Sequence, residues 1–160
     1  MKKIGVDLDE ILSDTLTSVL EYYNKLHNTS LKREGFSSYN YWEIWGGTKE
    51  NAVRLIEDYY ETNYFKNIKP IIGAKENLEE LKKDGYEMII ITGRSDKFKK
   101  ETIDWVNQYY PNIFSEIFFA NTFDIDNTNT RKSDICIKNN ISLLIEDDPY
   151  HLEDCAKAGI

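Results

Sequence analysis

The sequence predicts an α/β fold in which a doubly wound parallel sheet carries a small helical domain inserted after its first strand. Short apolar runs alternate with stretches of helical periodicity over most of the chain, and this alternation is typical of parallel sheets. Residues 14–69 are the exception, because they show helical patterns and no strand pattern. We therefore expect residues 1–13 and 70–160 to form the sheet domain and residues 14–69 to form the helical one.

The first strand ends in two carboxylates. The short run Ile4-Gly5-Val6 leads directly into Asp7, and Asp9 follows two residues later. Ligands of open parallel sheets bind outside the carboxyl ends of the strands, so both side chains lie where chemistry is usually done. Two like charges about 4 Å apart repel by roughly 4 kcal/mol at an effective dielectric constant near 20. A divalent cation or a proton would offset that repulsion, although the spacing alone is equally consistent with an acidic turn.

The inserted segment begins with an amphipathic helix and continues into an aromatic stretch. Apolar residues recur on one helical face between Leu12 and Leu26. Residues 36–47 are then dense in aromatic side chains, including Trp42 and Trp45, and end in two glycines. Aromatic side chains of this kind bury large areas. We expect at least two of them to pack inside the helical domain, and the remainder could form a platform for a ligand.

The rest of the chain alternates between helix and strand. Apolar runs predict strands at residues 88–91, 116–120 and 142–145. Helical patterns predict helices at residues 76–84 and 98–109, around Lys132, and from Pro149 onward. A polar loop is expected at residues 124–130. Helix ends are marked by three residues, namely Thr48 as an N-cap, Gly85 just after a C-terminus and Pro149 in a first turn.

Polar residues follow the later strands as well as the first. They are Thr92, Gly93 and Arg94 after the second strand, Lys132 beyond the third, and Glu146, Asp147 and Asp148 after the fourth. Because the carboxyl ends of parallel strands share one edge of the sheet, we expect these groups to converge with the two carboxylates of the first strand. Carboxylates suit Mg²⁺, while a threonine hydroxyl, turn N–H groups and a lysine suit a phosphate.

These residues resemble the four motifs of the haloacid dehalogenase-like (HAD) superfamily of aspartate-nucleophile phosphatases, whose core domain is Rossmann-like. The motifs read Asp7-Leu8-Asp9-Glu10-Ile11-Leu12, Ile90-Ile91-Thr92-Gly93-Arg94, Lys132 in Arg131-Lys132-Ser133, and Leu144-Ile145-Glu146-Asp147-Asp148. Their order, spacing and strand context agree over nearly the whole chain. The helical insertion looks like the superfamily's cap domain. Within the superfamily, the segments at 41–46 and 92–96 are similar to the 5′(3′)-deoxyribonucleotidase-like branch.

The resemblance implies a role for each matching residue. Asp7 would be the nucleophile, Asp9 the general acid and base, and Lys132 the cation that neutralises charge on Asp7 and the phosphate. Mg²⁺ would be the cofactor, held by Asp7, by the main-chain carbonyl of Asp9 and by Asp147. Thr92 would hold a phosphate oxygen. From their place in the turn after the second strand, Gly93 and Arg94 are expected to bind phosphate or substrate, although Arg94 could instead simply close the turn. Trp42 and Trp45 are expected to bind the rest of the substrate, because the helical insertion is the segment placed to cover the site.

The expected function is that of a Mg²⁺-dependent phosphomonoesterase using an aspartyl-phosphate intermediate, a 5′-nucleotidase acting on (deoxy)nucleoside monophosphates. Two alternatives stay open. One is a phosphatase of the same fold for another small phosphorylated metabolite, and the other is a non-catalytic protein that binds a phospholigand. A dehalogenase is disfavoured, because a departing halide needs no proton and Asp9 would have no task.

The amino-acid composition limits the classes of partner that we expect the protein to bind. The net charge of −8 and the pI near 4.8 disfavour a nucleic-acid polymer, which needs a basic face. No apolar run approaches the roughly 20 residues of a membrane helix, and no signal peptide is evident. Cys136 and Cys155 lack metal-ligand spacing and are expected to be reduced in a cytoplasmic protein. The oligomeric state stays open.

Four features of the pattern remain unexplained by the resemblance. Glu10 stands where the branch usually has glycine, so the turn before the insertion could differ in conformation. The chain stops at Ile160, where the family continues into a further strand. Asp148 could be a metal ligand or the N-cap of the last helix. Glu146 could tune the site or simply end its strand.

Overall fold

The computed structural model describes residues 2–36, 38–122 and 129–160. The chain divides into two compact units, one formed by residues 1–13 with 70–160 and the other by residues 14–69. The polar loop expected at 124–130 lies outside the described residues for all but its last two positions.

The sheet unit contains four parallel strands in the order β3-β2-β1-β4. The strands are β1 (Lys3–Val6), β2 (Glu87–Thr92), β3 (Phe114–Phe119) and β4 (Ile141–Ile145). The parallel α/β architecture predicted from the sequence is therefore confirmed. Val6 pairs with Ile90 of β2 and with Ile145 of β4, so β1 and β4 end at the same level and β2 ends two residues beyond them. This register brings the residues that follow them to one edge.

Eight α-helices lie in the described residues. They are α1 (Thr15–His27), α2 (Trp42–Trp45), α3 (Lys49–Tyr60), α4 (Asn63–Lys66), α5 (Ala74–Lys83), α6 (Lys99–Tyr109), α7 (Lys132–Lys138) and α8 (Pro149–Lys157). The first four belong to the helical unit and the others to the sheet unit. None of the described helices has the length and apolar character needed to cross a membrane.

The centre of the sheet is apolar and tightly packed. Val6, Ile90 and Ile91 are fully buried, as a strand covered on both faces requires. Gly5 sits between two neighbouring strands, and a methyl group there would come within 2.9 Å of Ile91 Cδ1 and of Leu144 Cδ1. The glycine therefore allows the central strands to pack with large side chains on either side.

Predicted helix ends agree with the structure, and one predicted start does not. Thr48 Oγ1 accepts a hydrogen bond from the Asn51 N–H at 3.3 Å, and Gly85 follows α5 with a φ of +87°, which glycine adopts readily. The helical pattern from Leu12 onward, however, becomes a helix only at Thr15. The N–H groups of Leu12 and Ser13 both donate to the carbonyl of Leu8, and these bonds form a tight loop before the helix.

The helical unit is stabilised by contacts between aromatic side chains and by two consecutive hydrogen bonds that hydroxyl groups donate. Tyr59 donates to Ser18 Oγ at 2.9 Å, and Ser18 donates in turn to the carbonyl of Tyr64 at 2.9 Å, which links α1, α3 and α4. Tyr23 stacks on Trp45 with ring centroids 4.6 Å apart and an interplanar angle of 2°. Tyr41 also contacts Trp45 edge-on, with ring centroids 5.2 Å apart, so two side chains of the aromatic segment pack inside the unit, as the sequence predicted.

Candidate active site

The site lies at the carboxyl ends of the strands of the sheet unit. Asp7 directly follows β1, and its N–H donates to the Ile145 carbonyl at 2.9 Å, which extends the pairing with β4 by one step. Thr92 is the last residue of β2, and Glu146 and Asp147 follow β4. The parallel register therefore brings together three of the polar groups that the sequence singled out.

Lys132 is the cation at the centre of this group. It is the first residue of α7, and its Nζ lies 2.7 Å from Asp7 Oδ1 and 2.6 Å from Glu146 Oε2. The exposed fractions of the three side chains are 2%, 7% and 1%. The ammonium thus bridges two buried carboxylates, and charge-assisted hydrogen bonds of this length are among the stronger ones in proteins.

Burial and charge act in opposite directions on these groups. Burial would lower the pKa of Lys132, but Asp7 and Glu146 outweigh it and raise that pKa, so the lysine is an ammonium at neutral pH. Burial raises the pKa of Asp7, and Lys132 opposes the shift while Glu146 and Asp9 add to it. Burial likewise raises the pKa of Glu146, again with Lys132 opposing. The one ammonium therefore does not fully offset the effect of burial on the pKa values of the two carboxyl groups.

Three carboxylates offer a place for a cation. Ligand oxygens of Asp7, Glu146 and Asp147 all lie within 4.8 Å of one another. An all-oxygen donor set is what a hard cation such as Mg²⁺ prefers, so the residues present fit that ion. Glu146 is already engaged, because its Oε1 accepts the N–H groups of Asp147 and Asp148 at 3.1 Å each and its Oε2 accepts from Lys132. Asp7 and Asp147 are therefore the better-suited ligands.

Glu146 is the residue whose task the sequence left undecided. Its contacts make it the buried counter-ion that fixes Lys132 and the turn after β4. The available signal was its position, the first acidic residue after an apolar strand. Asp148 has a different role, since its Oδ1 accepts the Tyr150 N–H at 2.9 Å and caps α8. Of the two interpretations of Asp148, the structure supports the helix cap.

Thr92 and Gly93 form the turn after β2. Thr92 is fully buried, and its Oγ1 accepts the Arg94 N–H at 3.2 Å. A methyl group on Gly93 would approach Thr122 Oγ1 to 3.0 Å, so the two loop segments are in close contact there. The Thr122 N–H donates to the Gly93 carbonyl at 3.0 Å. The turn is therefore braced by its own hydrogen bonds and by the segment after β3.

Arg94 contacts Asp9. Its Nη2 lies 2.6 Å from Asp9 Oδ1, and its Nε lies 3.0 Å and 3.2 Å from the two carboxylate oxygens. The arginine side chain is 1% exposed and the aspartate side chain 29%. The sequence left open whether Arg94 binds substrate or closes the turn, and in the structure its guanidinium is enclosed and paired with Asp9, the predicted acid and base.

Trp42 and Trp45 belong to the helical unit, on the single turn of α2. Both are partly buried. Trp45 is engaged by Tyr23 through stacking and by a hydrogen bond from the Tyr23 hydroxyl to its carbonyl at 3.3 Å. Its predicted part in substrate binding would use a face or edge that Tyr23 leaves exposed.

A polar pocket of about 310 Å³ lies within the helical unit, and the sequence did not point to it. Its lining comes from α1, α4 and the segments beside them, and consists of Asp14, Thr17, Ser18, Glu21, Asn63, Tyr64, Asn67 and Lys69. The volume is at the lower end of the range for small-molecule sites. In the sequence these residues look like the solvated faces of ordinary helices, so no periodicity marks them.

Comparison with known proteins identifies the family. Residues 1–156 match the family described as 5′ nucleotidase, deoxy (Pyrimidine), cytosolic type C protein. A 5′(3′)-deoxyribonucleotidase of Bacillus subtilis is 30% identical over 147 residues, which are 88% of this chain and 78% of that protein. A relative from Bacillus cereus is 28% identical over 120 residues, which are 73% of this chain but only 64% of the relative's length.

The fold agrees with these matches. A haloacid dehalogenase-like hydrolase from Streptococcus pneumoniae superposes with a TM-score of 0.72 at 16% identity, covering 100% of this chain and 82% of that one. The family resemblance and the enzyme class predicted from the four motifs are therefore confirmed. The chain belongs to the 5′ nucleotidase, deoxy (Pyrimidine), cytosolic type C family, a group of phosphoric monoester hydrolases with the haloacid dehalogenase-like fold.

Proposed function

We propose that this protein hydrolyses nucleoside monophosphates through an aspartyl phosphate formed on Asp7, with Mg²⁺ as its cofactor. The observation that carries the proposal is the buried bridge of Lys132 between Asp7 and Glu146, with Asp147 alongside. Phosphoryl transfer depends mainly on positioning and charge neutralisation, and this arrangement supplies both. The names of the relatives support the nucleotide as the substrate.

In the first step, a carboxylate oxygen of Asp7 attacks phosphorus and the ester oxygen leaves. Lys132 holds Asp7 Oδ1 and would also face the negative charge of the incoming phosphate. Thr92 and the N–H groups of the turn after β2 would bind phosphate oxygens. Bound Mg²⁺, held by Asp7, the Asp9 carbonyl and Asp147, would neutralise phosphate charge and orient the group for in-line attack.

Asp9 would handle the protons of both steps. It would give a proton to the leaving oxygen in the first step and take one from the attacking water in the second. Splitting the hydrolysis through a covalent intermediate replaces one difficult step by two easier ones. The partial exposure of the Asp9 carboxylate, beside an enclosed Asp7, is consistent with a group that must meet both the leaving group and water.

The helical unit is proposed to act as the cap that selects the substrate. Phosphate and metal contacts cannot distinguish one ester from another, so selection needs other residues. Aromatic faces such as those of Trp42 and Trp45 bind bases by stacking, which is worth about 1–3 kcal/mol per base. The polar pocket offers a second set of candidates, because Asn63 and Asn67 carry groups that can pair with a base edge.

The test is phosphate release by the purified protein from a panel of esters, with Mg²⁺ or with a chelator. We expect deoxynucleoside and nucleoside monophosphates to exceed sugar phosphates, and activity to require the metal. Asp7→Asn, which keeps the volume but removes the nucleophile, is the control and should be inactive while folding normally. Preference for sugar phosphates would leave a phosphatase and remove the nucleotidase. Binding without turnover would favour a phospholigand-binding protein.

A second measurement locates substrate selection. Trp42→Ala and Trp45→Ala should each raise KM for a nucleotide by about tenfold if the ring stacks on the base, since about 1.4 kcal/mol corresponds to tenfold. KM for a nitrophenyl phosphate should change less. Asn67→Ala is the companion variant for the pocket. If only Asn67→Ala raises the nucleotide KM, the base is selected by the pocket instead of the aromatic segment.

A further inference from the structure

We infer that Arg94 is a positioning residue that holds the Asp9 carboxylate in its working orientation. The inference rests on the proposed function, in which Asp9 exchanges protons with the leaving oxygen and with water. It assigns to Arg94 a task different from both alternatives that the sequence left open, which were substrate binding and closure of the turn. Three features carry the inference, and they are the geometry of the pair, the burial of the arginine and the hydroxyl groups that fix it.

The geometry of the pair is that of a fork. Nε of Arg94 reaches both oxygens of Asp9, at 3.0 Å and 3.2 Å, while Nη2 lies 2.6 Å from Oδ1. A planar guanidinium that meets a carboxylate at several points fixes both its position and its rotation, whereas a lysine ammonium fixes only a distance. The Asp9 side chain is therefore restrained to one orientation.

The burial of the two partners is unequal. The arginine side chain is 1% exposed and the aspartate side chain 29% exposed. The guanidinium thus lies on the inner side of the pair, and the carboxylate keeps an open side. A phosphate would have little access to an arginine so enclosed. This asymmetry is what a positioning residue requires, since the group it holds must still reach the reacting atoms.

Buried hydroxyl groups fix the arginine in turn. Nη2 donates to Ser13 Oγ at 3.3 Å, and Nη1 donates to Thr102 Oγ1 at 3.4 Å. Ser13 and Thr102 are both fully buried. Ser13 Oγ also lies 3.0 Å from the Leu8 carbonyl and 3.3 Å from Asp9 Oδ1, so the same serine ties the loop after β1 to the pair.

The backbone of Arg94 is anchored as well. Its N–H donates to Thr92 Oγ1 at 3.2 Å, and its carbonyl accepts the Asn121 N–H at 3.3 Å. The arginine is therefore attached to the end of β2 and to the segment after β3, while Asp9 follows β1. The pair joins these strand ends and sets where the acid and base stands beside the nucleophile.

Loss of this restraint on Asp9 should have a measurable effect on the reaction rate. A general acid or base must come within about 2.6–3.2 Å of the proton it transfers, and it contributes about 10²–10⁴ in rate when it does. A displacement of about 1 Å can cost about 10²-fold. Esters with alkoxide leaving groups depend on the acid, whereas nitrophenolate leaves without much help. Loss of Arg94 should therefore slow the first step, release of the leaving group, more for a nucleotide than for a nitrophenyl ester.

The experiment compares wild type, Arg94→Met and Arg94→Lys on a deoxynucleoside monophosphate and on para-nitrophenyl phosphate. For Arg94→Met we expect the single-turnover rate of leaving-group release to fall by about 10²-fold with the nucleotide and by less than about tenfold with the aryl ester, whereas hydrolysis of the aspartyl phosphate, which is common to both esters, should slow equally. KM for both should stay within about threefold. Arg94→Lys should show the same split with a smaller amplitude, and it provides the result if the methionine variant does not fold. Lys100→Met, which removes a cation from an exposed pair with Asp104, is the control and should match wild type.

A double variant separates positioning from general damage. If Arg94 acts through Asp9, then adding Arg94→Met to Asp9→Asn should lower kcat by less than about threefold, because the two changes remove one function. Equal losses in the single-turnover rate of leaving-group release on both esters, a rise in KM for both, or fully additive effects in the double variant would each overturn the inference and leave the proposed function standing. A wild type that hydrolyses neither ester would overturn both.

Discussion

Replacing Glu146 by glutamine should cost about 2–4 kcal/mol of folding free energy, together with much of the activity. The carboxylate is 1% exposed, and donors meet both of its oxygens. Oε1 accepts the N–H groups of Asp147 and Asp148 at 3.1 Å each, and Oε2 accepts from Lys132 at 2.6 Å. A glutamine amide has one oxygen and one NH₂ group, so in either orientation its NH₂ group faces a donor.

The magnitude follows from which donors lose their acceptor. If the NH₂ group faces the two backbone N–H groups, each is left without its partner at about 1–3 kcal/mol. If it faces Lys132, the ammonium loses a charge-assisted hydrogen bond of about 1.5–3 kcal/mol and keeps Asp7 alone. For a chain of this size, each kcal/mol lowers the melting temperature by about 2–4 °C. We therefore expect a fall of about 4–16 °C.

The assay is thermal unfolding at neutral pH in the presence of a chelator, followed by phosphate release with Mg²⁺. Glu153→Gln is the matched control, because it makes the same change in an exposed pair with Lys157, whose side chains are 74% and 78% exposed. That variant should unfold within about 0.5 kcal/mol of wild type. If the two glutamine variants had the same melting temperature, Glu146 would not be the buried counter-ion described above.

Three further changes test other parts of the structure. Asp9→Asn should lower turnover of nucleotides by about 10²–10⁴ while Mg²⁺ binding, measured by calorimetry, persists, and a loss below tenfold would argue against its role in proton transfer. Glu10 has a φ of +62°, so Glu10→Gly should relieve about 1 kcal/mol of strain and raise the urea midpoint, whereas Glu10→Ala should not. Burial, together with the nearby charge of Lys132, lowers the pKa of His151 in the folded protein. As the pH drops through about 6.5, the imidazole is therefore protonated in the unfolded chain before it is protonated in the folded one, and the free energy of unfolding should fall. His151→Gln should unfold with a smaller pH dependence over that range, and an unchanged dependence would contradict this assignment.

The elements of the sheet could be predicted because their signals are local. Apolar runs mark β1, β2 and β4, and the polar residues just beyond them fall at one edge for any parallel sheet. The predicted first residues of helices and strands were less accurate where tertiary contacts determine them. The third strand begins at Phe114 and not at residue 116, because Phe114 pairs with Met88. The helix expected from Leu12 begins at Thr15, because the Leu8 carbonyl takes the N–H groups of Leu12 and Ser13.

Side-chain partners were harder to predict than strand ends. Arg94 and Asp9 are 85 positions apart, and each follows a strand end where either could face a ligand. Nothing in the spacing indicates that the guanidinium turns inward to Ser13 and Thr102. Glu146 was ambiguous for the same reason, since an acidic residue after a strand can be a ligand, a cap or a counter-ion. Only the contacts of the long side chains distinguish these roles.

The repulsion between the two carboxylates after β1 is relieved in part by a contact that the sequence did not predict. The spacing of Asp7 and Asp9 called for a divalent cation or a proton on one of them, and the family resemblance added Lys132 as a cation for Asp7. In the structure Lys132, at the start of α7, contacts Asp7, and Arg94, in the turn after β2, contacts Asp9. The two contacts are not equivalent, however. Arg94 pairs with Asp9, whereas Lys132 bridges Asp7 and Glu146, and Asp147 lies close to both carboxylates. When ionised, these three carboxylates exceed one ammonium by two negative charges, which is the charge that a single Mg²⁺ would balance. In the proposed function, the side chains that need the divalent cation would therefore be Asp7 and its neighbours, whereas the side chain of Asp9 already has Arg94 as a partner.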